Sequence, residues 1–207
     1  MKNNQENDIK TLFDGKFIKV YDLEYEKDKH YLSASRRNLD DLVCLKDDEE
    51  FKSMKPDAVT IIAIINGKLL MTKEYRYPCG QYLLSPPAGL MDKGDENVIE
   101  TAIRELREET GLKISSSDKA EIINPCLFST PGMSDESNAL VLFDIRRDDF
   151  KPSNQSLVGD ERIDGYYLLD EKDVTEMIVM GRDHENYFYS AYAFCVMCYY
   201  LLYMKKA

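Results

Sequence analysis

Residues 89–112 read GLMDKGDENVIETAIRELREETGL, and the change of pattern inside this stretch sets the reading of the whole chain. Ile99, Ala102, Ile103 and Leu106 recur at the three- and four-residue spacing of one buried helical stripe. Asp95 stands where an N-cap belongs and Gly111 where a helix closes, so a helix is predicted over 96–110. At about 100° per residue Glu105, Glu108 and Glu109 share one face, roughly a third of a turn from the apolar stripe. Like charges at that spacing repel by a few tenths of a kcal/mol per pair. A hard divalent cation removes the cost, because Mg²⁺ favours oxygen ligands. Taken alone, RELREE also reads as a solvated helix rich in Glu and Arg. Arg104 and Arg107 fall on another face, where Glu100 and Arg104 can pair.

With its flanks included, the stretch resembles the Nudix box: glycine, five residues, Glu, seven residues, then Arg-Glu-aliphatic-any-Glu-Glu-any-Gly-aliphatic. One departure stands out, since six residues separate Gly89 from Glu96. Either the loop carries a one-residue insertion or Asp95 takes the first acidic position. The resemblance implies an α/β Nudix fold, a mixed β-sheet sandwiched between α-helices. It further implies that Glu105 and Glu109 ligate Mg²⁺ or Mn²⁺ with Glu108 as a further ligand. Glu96 and Arg104, with Gly89 and Gly111 at the two ends, are then the braces of the loop–helix–loop.

Working upstream, residues 58–65 and 68–72 are β-rich, and Asn66-Gly67 between them is a hairpin signal. Residues 81–84 suggest a short strand, after which Pro86-Pro87-Ala88-Gly89 is predicted to be irregular, since two prolines cannot donate to a ladder. KEYRYP at 73–78 and PPAG at 86–89 resemble the QYR and E-x-P-A-G segments of the ADP-ribose pyrophosphatase branch. That likeness implies that Arg76 contacts a substrate phosphate and that the Ala88 carbonyl is a metal ligand. Ser85 stands where the branch usually has Glu. An arginine at a surface strand end is the plain alternative for Arg76.

Downstream, STPGMSDE at 129–136 resembles the branch's S-x-P-G-x-x-x-E loop, which sets Glu136 against the terminal ribose or a metal; the plain alternative is a solvated loop acid. GDERID at 159–164 resembles an E-x-E-x-I segment with Gly159 in place of the first Glu. Glu161 is then the water-activating carboxylate by resemblance, or else a solvated acid beside a strand. Glu136 is the runner-up, and Glu108 completes the catalytic carboxylates. Strands are predicted at 16–23, 121–128, 139–146 and 164–169, helices at 171–181 and 187–204, and a long loop at 148–161. The acidic stretch 40–50 reads as a solvated turn region.

The chain as a whole has 207 residues, with 38 acidic and 27 basic side chains for a net charge of −11. An apolar fraction of 43%, with 14 Tyr and 8 Phe, supports a substantial core and excludes disordered or fibrous classes. A pI near 4.8 argues against a nucleic-acid partner, which needs clustered Lys and Arg. An anionic substrate would need help from cations. Residues 187–204 lack formal charge but hold six tyrosines, whose hydroxyls need partners; this favours a packed terminal helix over a membrane anchor. Cys195 and Cys198 form a lone CxxC with only two histidines in the chain, so two buried thiols are expected rather than zinc or redox chemistry. Five scattered cysteines and no apolar leader suggest a cytoplasmic home.

Residues 1–57 form a β-rich segment expected to dimerise, and 58–207 the Nudix domain. The branch implies a homodimer with exchanged N-terminal strands. It also implies metal-dependent hydrolysis of the diphosphate of ADP-ribose, to AMP and ribose 5-phosphate, or of a close nucleoside-diphosphate analogue. Sugar-nucleotide or dinucleotide pyrophosphatases share the box, and a phosphate-releasing or isomerase member would share the fold. A non-enzymatic regulator that binds a metabolite would usually have lost box carboxylates that are present here.

Overall fold

A computed structural model describes residues 8–92, 94–95, 97–147 and 162–206. The chain divides into two compact units: residues up to Asp57 with Pro125–Asn138, and Ala58–Asn124 with the residues from Ala139 onward.

In the first unit, β1 (Ile9–Asp14), β2 (Lys19–Glu26) and β3 (Lys29–Ser35) form an antiparallel sheet in that order. Ile9, Tyr21 and Leu42 make its small core, with Leu23, Leu39 and Leu45 packed around them. The Tyr21 hydroxyl donates to the Arg37 carbonyl at 3.0 Å, which satisfies its polar end. The acidic stretch 40–50 is more ordered than a solvated turn. Two 3₁₀ turns, Leu39–Asp41 and Val43–Leu45, lead to α1 (Asp48–Ser53). Asp47 caps α1 in a reciprocal box with Glu50, so the acids complement the positive end of a helix.

The second unit is built on a seven-stranded sheet of order β10-β5-β4-β9-β8, with β6 on β5 and β7 on β4. All eight residues of β4 (Ala58–Ile65) are buried, which requires cover on both faces. Val59, Ile61, Ala63 and Ile65 join Ala102 and Leu106 of α2 (Val98–Thr110) in one core cluster. Thr60, Ile62 and Ile64 alternate with them, and α4 (Ala191–Met204) packs against the same strand. This is the mixed sheet between helices that the resemblance implied.

Asn66 and Gly67 turn the β4–β5 hairpin with φ of 48° and 80°, the left-handed pair that such a turn requires. β5 (Lys68–Arg76) runs past residue 72 because Thr72–Arg76 pair with β6 (Gln81–Ser85). Pro86 and Pro87 are irregular as expected, but the residues after them are not: Ala88–Leu90 is β7, paired with Ala58–Thr60. Pro86 and Pro87 precede that ladder, and the Pro87 carbonyl still accepts the Ile61 N–H at 2.8 Å. Proline lacks a donor but keeps its acceptor.

β8 (Lys119–Phe128), β9 (Ser137–Ile145), β10 (Ile163–Leu169) and α3 (Glu171–Met180) lie within two residues of their expected ends. The loop expected at 148–161 lies outside the described residues. The terminal helix is shorter than expected, 14 residues capped by Ser190. Among the described residues no helix is long and apolar enough to cross a membrane. Ala193, Val196, Met197 and Tyr200 form its buried stripe, which leaves Cys195 partly exposed and Cys198 exposed rather than buried.

Three tyrosine hydroxyls of the terminal segment find partners. Tyr200 donates to the Gly67 carbonyl at 2.7 Å, Tyr203 to Asp144 Oδ2 at 2.9 Å and Tyr189 to the Met177 carbonyl at 3.1 Å. Burial, and then the charges of Glu171, Asp170 and Asp173, push the Tyr200 hydroxyl up to about 12. Its unfolded value is about 10, so the protonated form's contribution is complete below pH 10 and lost as pH rises through 12, up to roughly 2–3 kcal/mol. Denaturation of Tyr200→Phe beside the wild type should show a cost of about 1 kcal/mol near neutrality. That gap should close and then reverse as pH rises from 10 through 12; a gap that stays constant there overturns the assignment.

Candidate active site

α2 begins at Val98 because Asn97, not Asp95, is its cap, accepting from the N–H groups of Ile99 and Glu100 at 3.0 Å each. Gly111 ends it with φ of +72° and donates to the Arg107 carbonyl at 2.8 Å. The helix buries its carboxylates along with its apolar stripe: Glu105 is 6% and Glu109 4% exposed. β7 lies against this face. The Ala88 N–H donates to Glu109 Oε1 at 3.2 Å, and the Glu105 carboxylate occupies the space beside Gly89 that a side chain would fill.

Arg104 does not stay on the separate face expected of it. Its Nη1 lies 2.7 Å from Glu105 Oε1 and 3.7 Å from Glu108 Oε2. Nη2 donates to the Leu90 carbonyl at 3.0 Å and to Asp95 Oδ2 at 3.3 Å. Withdrawn carboxylates need the nearest cation, and here that demand outweighs a surface pair with Glu100. Asp95 also accepts from Thr101 Oγ1 at 2.7 Å and from the Asp92 N–H at 2.9 Å. Burial works to raise the Asp95 pKa, but the bonds from Thr101, Asp92 and Arg104 hold it below the usual carboxylate range. Asp95 therefore joins the Leu90 carbonyl in tying the loop to Arg104 of the helix. Glu96 lies outside the described residues.

Ala88, Gly89, Arg104, Glu105, Glu108 and Glu109 thus come together around one end of β7. Among the described residues no three His, Cys, Asp or Glu side chains stand in ligating geometry, since Glu105 faces Arg104 and Glu109 faces the Ala88 N–H. The donor set itself is all oxygen, two members are carboxylates held out of water, and the bare glycine lets one of them, Glu105, lie against β7. Such donors suit a hard divalent cation.

Arg76 ends β5, its guanidinium 2.6 Å from Glu74 Oε2. The Tyr75 N–H next to it donates to the Arg162 carbonyl at 2.8 Å. Glu161 lies outside the described residues. Ser85 is buried, and its carbonyl accepts from Thr72 Oγ1 at 3.1 Å.

Glu136 belongs to the first unit, where Arg36 Nε lies 2.7 Å from its Oε1. Its backbone carbonyl accepts the Ser129 N–H at 2.9 Å, closing the 129–136 loop, and the Ala34 N–H holds Met133 at 2.9 Å. Sequence reasoning missed Arg36: a basic pair in SRRN carries no signal of an acid 100 residues away. Asp95 was legible both as a cap and, from the six-residue gap, as the alternative first acidic position of the box.

A NUDIX domain family profile matches residues 54–189. A putative nudix hydrolase 2 of Caenorhabditis elegans is 43% identical over 106 residues, 49% of this chain and 45% of the relative. An ADP-ribose pyrophosphatase of Bacillus subtilis is 32% identical over 141 residues, 66% of this chain and 64% of the relative. The chain therefore spans less than two thirds of the length of either. A crystal structure of an ADP compounds hydrolase shares the fold with a TM-score of 0.62 at 21% identity, over 96% of this chain and 92% of that one.

Proposed function

The chain belongs to the Nudix family, and from that premise we propose that it hydrolyses the diphosphate bond of ADP-ribose or a close nucleoside-diphosphate analogue, with Mg²⁺ or Mn²⁺ as cofactor. The observation that carries the proposal is the pair of buried carboxylates, Glu105 and Glu109, set against Ala88 and Gly89.

Glu105, Glu108 and Glu109, with the Ala88 carbonyl, would hold the cation. When bound, it supplies Lewis-acid neutralisation of the diphosphate and lowers the pKa of water. The protein's own groups do the rest. Arg104, anchored by Asp95, keeps the Glu105 charge compensated until a cation arrives. Arg76 offers a planar fork to a phosphate, and Glu74 holds it in place. A loop carboxylate, Glu161 or else Glu136, takes the proton from the attacking water.

Turnover of ADP-ribose, sugar nucleotides, dinucleotide polyphosphates and NADH with Mg²⁺ and with EDTA tests this reading. Preference for ADP-ribose and silence in EDTA are expected; full activity in EDTA sinks it. For the base, kcat of Glu161→Gln should fall by well over about tenfold with KM little changed. A smaller loss there beside a larger one in Glu136→Gln transfers the role to Glu136.

The proposal extends to a cytoplasmic homodimer that exchanges its N-terminal strands. Support comes from apolar side chains open to solvent in the first unit, among them Leu12, Phe13, Phe17, Ile18 and Leu32. Sedimentation at micromolar concentration should give twice the 24.0 kDa chain mass, and an active species of single-chain mass counts against it.

A further inference from the structure

A second cavity lies wholly within the first unit, and none of Arg76, Ala88, Glu105, Glu108, Glu109 or Glu136 lines it. It is open to solvent and holds about 900 Å³. Tyr25 and Tyr31 of the β2–β3 hairpin form one wall, with Phe51 of α1 and Phe128 on another. The two phenyl rings stack with centroids 5.8 Å apart and planes 20° from parallel. Leu23, Ser33, Cys44 and Asp135 line both this cavity and a recess of about 40 Å³, which Tyr21 and Leu42 close off.

Asp135 sets the character of the recess. Its Oδ2 accepts the Val43 N–H at 3.3 Å, whereas Oδ1 is buried without a hydrogen-bond partner among the described residues. A buried carboxylate oxygen left in this state costs stability, and a cationic N–H donor relieves it best. Lys46 lines the cavity but does not serve, because its ammonium is bound to Asp41. The Cys44 thiol is pushed up by burial and then by the charge of Asp135, the same field that would favour a cation there. The recess is small beside the cavity, about 40 Å³ against 900 Å³, so it suits the polar head of a ligand whose body lies in the larger space.

We propose that this cavity binds a small organic cation, a protonated primary amine on an aromatic body, with the ammonium against Asp135 and the ring between the tyrosine and phenylalanine walls. Aromatic faces attract such cations and stack on such bodies.

Calorimetric titration with phenethylamine, 2-phenylethanol and adenosine tests it. Saturable binding of the amine is expected, with the isosteric alcohol weaker by about tenfold or more, the scale of one charge-assisted hydrogen bond. Asp135→Asn, which keeps the acceptor for Val43, should lose the same factor, and Phe51→Ala should weaken the amine with little effect on the thermal melt. Should Asp135→Asn fail to fold, the wild-type comparison of amine with alcohol decides. Equal binding of amine and alcohol, no saturable binding of the amine, or adenosine binding that competes with the amine and depends on Asp135 overturns the proposal.

Discussion

Glu109→Gln is expected to keep its fold and lose roughly a hundredfold or more in kcat, the several kcal/mol that a bound cation contributes to a charged transition state. The substitution is nearly isosteric, and an amide oxygen can still accept the Ala88 N–H that Glu109 now takes at 3.2 Å. What disappears is the negative charge at a site only 4% exposed, where a neutral amide is a poor partner for Mg²⁺. Kinetics across a Mg²⁺ titration, beside a thermal melt, check it. Wild-type kcat in this variant at every Mg²⁺ concentration removes Glu109 from the site.

Gly89→Ala should cost activity by a comparable factor and stability by about 1–3 kcal/mol, a Tm lowered by several degrees in a chain of this length. Its backbone φ is ordinary, so the requirement is space. A Cβ at residue 89 would lie 1.9 Å from Glu105 Cδ and 2.2 and 2.3 Å from its two oxygens. Glu105 is 6% exposed and tied to Arg104, so it can yield only by leaving the arrangement that places it beside β7. Gly94→Ala is the control: a Cβ there meets nothing within 4 Å, and neither activity nor Tm should change. If both variants behave alike, the close approach at residue 89 does not matter to the site.

The two units differ in how far the sequence discloses them. β4 could be placed to the residue, because AVTIIAII is long, β-branched and ended by Asn-Gly. Gly111 and Gly181 likewise mark their helix ends, with φ of +72° and +65°. β1 and β3 were not separable in the sequence. Their alternation is broken by exposed Leu12, Phe13 and Leu32, apolar residues on the solvent side that blur a period of two. Leu42, inside an acidic run that reads as solvated, is 3% exposed because Tyr21 and Ile9 lie across from it in the small core.

Sequence by itself determined that α2 exists, where it closes, that three glutamates share a side of it, and which family the surrounding motif belongs to. These are local properties: periodicity, capping and spacing are carried by residues within a few turns of one another. Tertiary structure alone decided that Glu105 and Glu109 are withdrawn from water and that Arg104 turns back to Glu105 and Asp95. It alone made a strand of the residues behind two prolines, and paired Arg36 with Glu136. Each depends on which distant backbone supplies a ladder partner, a donor or a countercharge, and the cost of burying an ion or an unpaired carbonyl is settled only when those partners meet.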